Sequence, residues 1–369
     1  MVVPLAVRCV AATLGTAVVL VAWASIIQTL MVPRPAGNWL PRMVNRVVLS
    51  AYRLATRNLR DLHLRDQALA SQAAAILLLQ LAGWLVTLLA GFTLLLWPFA
   101  RAGITSSVID AGEALFGLGY QLPGGSSWPA AVLFTAAATG LVIIALQIAY
   151  LPTLYGAFNR RETEVTLLNA RAGVPSWGPE LLARSHYALG SGTSTVNTFP
   201  GLYLSWERWA ADVAESHTTY LPLVRFRSPR PKSSWLLALL AVMDSAALYL
   251  ALSPDAAPAV EARLCLRGGS ECLRRVAQAL GCDVPETPDK DAGISLTYPE
   301  FLEALDRIRE VGFTIERDPA DAWPDFAGWR VNYEQAAYAI AYAIDAPPSL
   351  WSGRRRYPSQ PLLPDRPPG

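Results

Sequence analysis

The sequence from Gly103 to Tyr155 is GITSSVIDAGEALFGLGYQLPGGSSWPAAVLFTAAATGLVIIALQIAYLPTLY. Residues 104–115 predict a short helix, which runs into a glycine-spaced loop at residues 116–120. A long apolar run from Trp128 follows the loop, and another, at residues 70–99, precedes the stretch. The predicted order is therefore a long apolar helix, a short helix, a glycine loop and a second long apolar helix.

The composition favours a membrane protein. Of the 369 residues 53% are apolar and only 16% are charged, whereas soluble domains carry about 25% charged residues. A helix needs about 20 apolar residues to cross a hydrocarbon core of about 30 Å. Three runs are long enough: Val10 to Val32, Ala75 to Phe99 and Trp128 to Tyr155. We expect an all-α membrane protein with a helical cytosolic domain.

The first 32 residues predict one retained transmembrane helix. The alternative is a cleaved signal peptide, but the run is too long and Met31-Val32-Pro33 is a poor cleavage site. Residues 33–69 differ sharply, because apolar residues recur there at helical spacing among seven arginines. That pattern favours a basic amphipathic helix on the cytoplasmic membrane surface, although a solvated helix on a soluble domain has the same pattern. The arginines are Arg34, Arg42, Arg46, Arg53, Arg57, Arg60 and Arg65.

The distribution of basic residues also predicts the orientation. Short cytoplasmic loops are rich in Lys and Arg, so segment 33–69 is expected inside and the N-terminus outside. Segment 100–127 has one basic residue, Arg101, and is expected outside, while Arg160 and Arg161 begin a cytoplasmic region. Tryptophans at 97 and 128 suit an interfacial aromatic belt. We expect a multi-pass protein of the cell membrane with its C-terminal domain in the cytoplasm.

The remainder of the chain predicts a cytosolic helical domain over residues 158–352. Residues 235–252 are apolar nearly all round, which fits a helix buried in a bundle; a fourth span is the alternative, and Asp244 counts against it. Residues 353–369 contain five prolines and the three consecutive arginines 354–356, so a disordered tail is expected.

The sequence contains only weak motifs for a catalytic site, a metal site or a nucleic-acid-binding surface. Cys265, Cys272 and Cys282 have no zinc spacing, and there are only three histidines in the chain. Ser216, His217 and Asp244 do not predict a catalytic triad, because adjacent helical residues diverge by about 100° and no nucleophile turn is present. The basic residues at 225–232 suit lipid headgroups better than nucleic acid. We expect neither an enzyme nor a metal site.

The glycine loop is the segment with functional chemistry. Irregular backbone at membrane depth is tolerated only inside protein or beside water, and in cation channels its carbonyls replace the water around the ion. With its two flanking apolar helices, residues 70–157 resemble the two-helix pore domain of the potassium-channel superfamily. Over residues 70–352 the chain resembles bacterial potassium-channel-family proteins, through the passages SWERWAADVAESHTTYLPLVRFRS, SSWLLALLAVMDSAALYLAL and WRVNYEQAAYAIA.

The resemblance implies a re-entrant pore helix at 104–115 and a selectivity filter. The family motif TVGYG aligns with Gly117, Leu118, Gly119, Tyr120 and Gln121, so glycine stands in the place of threonine and glutamine in the place of the last glycine. These departures weaken the expectation of potassium selectivity. Asp110 and Glu113 share one face of the pore helix and would brace the filter or simply be solvated. Gly140 would be a gating hinge or a close-packing position.

The resemblance thus predicts a passive cation channel, conducting K⁺ or another monovalent cation without a cofactor. Its pore would be a closed ring of subunits in the bilayer, expected to be a tetramer, with the ligand of the cytosolic domain unknown. One alternative is a non-conducting scaffold or sensor that retains a degenerate channel fold. Another, a membrane-anchored enzyme in 160–352, has no catalytic constellation to support it.

Overall fold

A computed structural model describes residues 4–32, 39–59, 61–100, 103–119, 127–187, 198–289 and 293–365. These residues contain thirteen α-helices and no β-strand beyond an isolated bridge between Ser349 and Leu362. The chain divides into two compact units. Unit 1 comprises residues 1–54 and 71–155, and unit 2 comprises residues 55–70 and 156–369.

The helices, numbered in chain order, are α1 (Leu5–Leu30), α2 (Trp39–Thr56), α3 (Leu62–Ala70), α4 (Gln72–Leu96), α5 (Ile104–Leu115), α6 (Ser127–Ala172), α7 (Gly178–Tyr187), α8 (Phe199–Thr219), α9 (Trp235–Leu252), α10 (Ala259–Ala279), α11 (Tyr298–Glu310), α12 (Pro319–Arg330) and α13 (Glu334–Ile344).

Among the described residues, four apolar segments are long enough to cross a membrane: Leu5–Leu30, Leu62–Phe99, Trp128–Ala172 and Trp235–Leu252. In the most apolar stretch of each of the first three, only 33% of the residues are buried by the protein, which leaves broad apolar surfaces. In the fourth the buried share is 94%. The chain is therefore consistent with a membrane protein, and the fourth segment, α9, is enclosed by its own unit.

In unit 1, α1 and α4 pack closely through a glycine pair. A methyl group at Gly15 would lie 2.8 Å from the carbonyl oxygen of Gly91, so larger side chains would push the helices apart. Further along, the indole Nε1 of Trp84 donates a hydrogen bond of 3.1 Å to Ser25 Oγ. The absence of side chains at the glycine pair is thus what permits this helix packing.

The predicted amphipathic helix at 33–69 is two helices in the structure. Helix α2 ends at Thr56, and after a turn Asp61 Oδ1 accepts a hydrogen bond of 2.7 Å from the His63 backbone N–H at the start of α3. A carboxylate that binds early N–H groups stabilises a new helix start. Helix α3 is grouped with unit 2, where Arg65 forms an ion pair with Asp345 and Asp66 forms one with Arg227.

Unit 2 is built around α9. Every residue of α9 is buried, and α7, α8, α10, α12 and α13 pack on it, so it forms the centre of a helical bundle. This arrangement agrees with the bundle interpretation of residues 235–252. Helix α12 was not recognised in the sequence, although Asp318 caps it and proline follows at its first position, which is a known signal for a helix start.

The expectation of a disordered tail at 353–369 is wrong for residues 353–365, which are described. Arg355 is buried, and its Nε donates to the Ala346 carbonyl at 2.6 Å and its Nη2 to the Pro347 carbonyl at 2.7 Å. Arg225 and Arg227 donate to the preceding carbonyls, of residues 343 to 345. Cations at a helix C-terminus satisfy its unpaired carbonyls. The contacts of Arg355 hold the start of the proline-rich segment against the residues that follow α13.

Candidate functional site

Helix α5 has the bounds that the sequence predicted, Ile104–Leu115. It begins after Gly103, whose φ of 86° favours glycine, and the hydroxyl of Ser106 donates to the Gly103 carbonyl at 2.9 Å. Twelve residues extend about 18 Å, which is too short for a core of about 30 Å. Ser107, Ala111 and Ala114 are among the residues of its buried face. A short helix therefore lies between two long apolar ones.

The C-terminus of α5 is closed by a Schellman motif. The Gly117 N–H donates to the Ala114 carbonyl at 3.2 Å, and the Leu118 N–H donates to the Glu113 carbonyl at 2.9 Å. Gly117 has a φ of 69°, the left-handed conformation that this motif requires. The helix end alone therefore accounts for glycine at 117, where the channel motif has threonine.

The loop after the motif is open. Gly119 has a φ of 97°, and a methyl group there would meet nothing within 4 Å. Leu118 is 78% exposed. Within the described residues, the carbonyls of Gly117, Leu118 and Gly119 accept no backbone hydrogen bond. Tyr120 and Gln121, the other two predicted filter residues, lie outside the described residues.

Asp110 and Glu113 are both partly exposed and lie on one side of α5. Neither carboxylate forms an ion pair with another described residue. The structure therefore leaves both carboxylates available to water or to a partner.

Gly140 is a contact point between α6 and the end of α5. A methyl group at Gly140 would lie 1.8 Å from the Leu115 carbonyl oxygen, which no side chain can tolerate. Helix α6 continues through this residue from Ser127 to Ala172. Gly140 thus permits close packing in this structure, and the hinge remains a prediction.

Aromatic rings lie near the ends of the two long helices that flank α5. Trp128, in the first turn of α6, has its ring centroid 6.4 Å from that of Phe99, in a 3₁₀ turn that follows α4. Gly112 of α5 faces α4, since a methyl group there would lie 3.7 Å from Leu89 Cδ1. The site is therefore a small bundle of α4, α5 and α6 with the glycine loop at one end of α5.

In unit 2, the structure separates the residues that could have suggested a catalytic triad. Ser216 Oγ lies 3.0 Å from His217 Nδ1, a contact that the helical-wheel argument did not anticipate. Asp244 is bound elsewhere, to Arg330 and to the hydroxyl of Tyr333 at 2.7 Å. The hydrogen bonds of Ser216 and His217 instead continue to Arg161.

The tautomer of His217 follows from its neighbours. Arg161 Nη1 can only donate, so His217 Nε2, 3.0 Å away, accepts and carries no proton. The proton is then on Nδ1, which donates to Ser216 Oγ, while that hydroxyl donates to the Asp212 carbonyl at 2.6 Å. Burial, and secondly the charge of Arg161, hold the pKa of His217 well below its ordinary value. The ring is a fixed neutral acceptor with a structural part in unit 2.

Arg161 and Arg330 are completely buried and organise unit 2. Sequence reasoning missed both, since arginine on a helix usually indicates a solvated face. Arg161 also donates to the carbonyls of Leu223 and Phe226, and Arg330 donates to Glu334 and to the Trp351 carbonyl. Among the described residues, no group of three or more His, Cys, Asp or Glu side chains is arranged to hold a metal ion.

A cavity of about 260 Å³ lies beside α3 in unit 2. Its three cationic residues each have a carboxylate partner: Arg65 with Asp345, Arg227 with Asp66, and Lys232 with Asp365. The Arg65 guanidinium also lies 3.7 Å from the centroid of the Tyr357 ring. Each cationic side chain of this cavity is therefore paired within the protein.

Comparison of the chain with protein-family models, with curated proteins and with solved structures finds no match. The assignment to the potassium-channel family therefore has no support beyond the resemblance of the quoted residues.

Proposed function

We propose that the protein forms a cation-conducting pore, with the loop after α5 lining the conduction path. The observation that carries this proposal is that, among the described residues, no backbone N–H donates to the carbonyls of residues 117–119. They follow a half-length helix between two long apolar helices. Backbone carbonyls in such a place need water, ions or another protein chain as partners. A monovalent cation, K⁺ or another, takes carbonyl oxygens in place of its hydration shell.

The pore requires several copies of the chain. One loop supplies only a few oxygens, whereas a closed ring of loops surrounds an ion, and a tetramer is the expected ring. The apolar side chains that α6 exposes offer surface for contacts between copies and with lipid; they include Phe134, Leu141, Ile144 and Ile148. No cofactor takes part in this passive conduction.

We expect weak discrimination between potassium and sodium. Gly117 supplies no hydroxyl oxygen, and its backbone is committed to the end of α5. Gln121, in the place of the last motif glycine, carries a Cβ that glycine lacks. The loop should therefore offer fewer ion-binding sites than a complete TVGYG filter. The proposed membrane orientation has the N-terminus outside and unit 2 in the cytoplasm, on the grounds of the arginine distribution.

A non-conducting scaffold or sensor is the second candidate, and two observations favour it. The Schellman motif accounts for Gly117 without an ion, and the Leu115 carbonyl is occupied by its contact with Gly140. Helix α5 would then be a packed element between α4 and α6, with no pore beside it.

Ion flux distinguishes the two. The full-length protein is reconstituted in liposomes under a potassium gradient, with sodium in a parallel preparation. The pore predicts flux that Gly119→Ala abolishes, because alanine is strained at a φ of 97°. Gly112→Ala is the matched control, since a methyl group there meets Leu89 at an ordinary 3.7 Å. Absence of flux from the folded wild-type protein would contradict the pore and favour the scaffold.

A further inference from the structure

Helix α2 exposes two parallel stripes of side chains that the core of unit 1 does not use. Its buried stripe, Leu40, Val44 and Val48, belongs to that core. The two exposed stripes each recur at intervals of four or seven residues, which places each on one side of a helix. One stripe is apolar and consists of Trp39, Met43, Val47 and Leu54, which are 51%, 49%, 58% and 73% exposed; the other consists of Arg42, Arg46 and Arg53.

Helix α2 runs antiparallel to α4. Leu40 Cδ2 lies 3.5 Å from where a methyl group at Gly83 would be, and the Tyr52 hydroxyl lies 2.7 Å from Ser71 Oγ. Twelve residues separate the two contacts in each chain segment, about 18 Å of helix in both. Equal spacing means that α2 lies along the first half of α4, whereas a helix flat on a membrane surface would cross a spanning helix.

Helix α1, another apolar helix of unit 1, indicates how deep in the membrane these contacts lie. Helix α1 is also antiparallel to α4, with Ser25 bonded to Trp84, and it ends at Leu30, about 8 Å further along its axis. Measured along the axis of α4, Leu30 therefore lies beside residue 79. The first turn of α2 contacts Gly83, so it lies about one helical turn deeper in the membrane than Leu30. Arg46 lies beside residue 77 of α4, slightly further from the membrane centre than Leu30.

This arrangement matches the chemistry of one membrane leaflet. Trp39 and Met43 fall at the depth of the outer ends of the acyl chains, where amphipathic aromatic rings and flexible apolar side chains are favourable. Arg46 falls at the headgroup level, and Arg53 lies about 10 Å further out along the helix, with a long side chain that can reach several ångströms. Guanidinium groups bind phosphate oxygens through paired hydrogen bonds.

We propose that the exposed face of α2 is a binding site for acidic phospholipids. Arg46 and Arg53 bind the lipid phosphate. Trp39 and Met43, at the inner end of the apolar stripe, contact the acyl chains. The charge of the face argues for lipid over a second copy of the chain, because a two-fold contact through α2 would bring the arginine stripes together. The inference does not depend on the proposed pore, since it applies equally to a scaffold.

The first test measures which lipids accompany the protein. Full-length protein is placed in nanodiscs of mixed phosphatidylcholine and phosphatidylglycerol, and the ratio of the two retained lipids is measured by native mass spectrometry. We expect enrichment of phosphatidylglycerol, reduced about fivefold for each arginine removed in Arg46→Gln/Arg53→Gln. Arg263→Gln/Arg267→Gln, on the exposed face of α10, is the matched control and should leave the ratio unchanged. An equal ratio in the α2 variant and the wild type would overturn the proposal.

The second test measures the depth of α2 in the membrane and would detect a second copy of the chain on its exposed face in place of lipid. A nitroxide label at Met43→Cys is compared with one at Leu264→Cys in a Cys9→Ser/Cys282→Ser background, since Cys265 and Cys272 are buried. The proposal predicts that the label at 43 is relaxed by oxygen and shielded from a water-soluble nickel complex, and that the label at 264 is accessible to nickel. Shielding from both reagents, with spin–spin broadening, would show that a second copy covers α2 and would overturn lipid binding.

Discussion

The carbonyl oxygen of Leu115 lies where a methyl group at Gly140 would have to be, only 1.8 Å away. The last residue of α5 is thereby held against the middle of the apolar part of α6. Any movement of α6 at this level must displace the end of α5, and with it the loop at residues 117–119.

We predict that Gly140→Ala destabilises the protein by about 1–3 kcal/mol or more, because the added methyl group forces α5 and α6 apart. Thermal unfolding in detergent is the measurement. Gly156→Ala is the matched control in the same helix, since its methyl group would meet only Arg160 Nη1, at 3.9 Å. There alanine should be neutral or stabilising by up to about 1 kcal/mol. Gly140→Ala with unchanged stability but altered flux would favour the hinge over the packing role.

For the helix end, we predict that Gly117→Ala costs about 1–3 kcal/mol, because alanine at a φ of 69° is strained in the Schellman motif. Gly117→Asn should recover part of the loss, since asparagine tolerates the left-handed conformation. The midpoint of thermal unfolding reports both. Equal stabilities of the alanine and asparagine variants would contradict the assignment of Gly117 as a helix cap.

The pH dependence of stability should contain a contribution from His217. Its pKa is lowered in the folded protein, so below about pH 6.5 the unfolded chain binds the proton first. Stability is therefore unaffected by this group above pH 6.5 and falls as the pH drops, by up to about 1.4 kcal/mol per unit, until the folded pKa is reached. His217→Gln, which retains an acceptor, should remove this part of the slope in denaturant titrations.

His63→Gln, the same substitution at an exposed position, is the control for the change of residue in that experiment. If both histidine variants kept the wild-type slope, the buried neutral state of His217 would be excluded.

The buried ion pair of Asp244 and Arg330 should be costly to break. Arg330→Met leaves Asp244 and Glu334 without their shared cation, and we expect a loss of about 3–5 kcal/mol. Arg309→Met removes an exposed pair with Asp306 and should change stability by about 1 kcal/mol or less. Chemical unfolding followed by tryptophan fluorescence compares them. Similar losses of stability in the two variants would show that the buried pair contributes no more to stability than the exposed pair.

The sequence predicted elements whose determinants are local. The bounds of α5 follow from Gly103 at one end and Gly117 at the other, and the apolar run of α9 predicted its burial. Contacts between distant segments were not predictable. The arginines at 354–356, beside prolines, indicate disorder by composition, but Arg355 is ordered by carbonyls some nine residues earlier in the chain. The candidate site was predicted as a helix and a loop, while the contact of Gly140 with Leu115 needed the structure.

The contacts of Arg65 and Arg227 with the end of α13 also determine the order in which parts of the protein fold during synthesis. Arg227 in the middle of the chain donates to the carbonyls of Ile344 and Asp345, and Arg65 pairs with the Asp345 side chain. A ribosome makes the chain from its N-terminus, so α1 and α4 emerge long before these acceptors exist. The contacts that Arg65 and Arg227 make with the end of α13 therefore form only after residue 345 has left the ribosome, although Arg227 can pair with Asp66 before then.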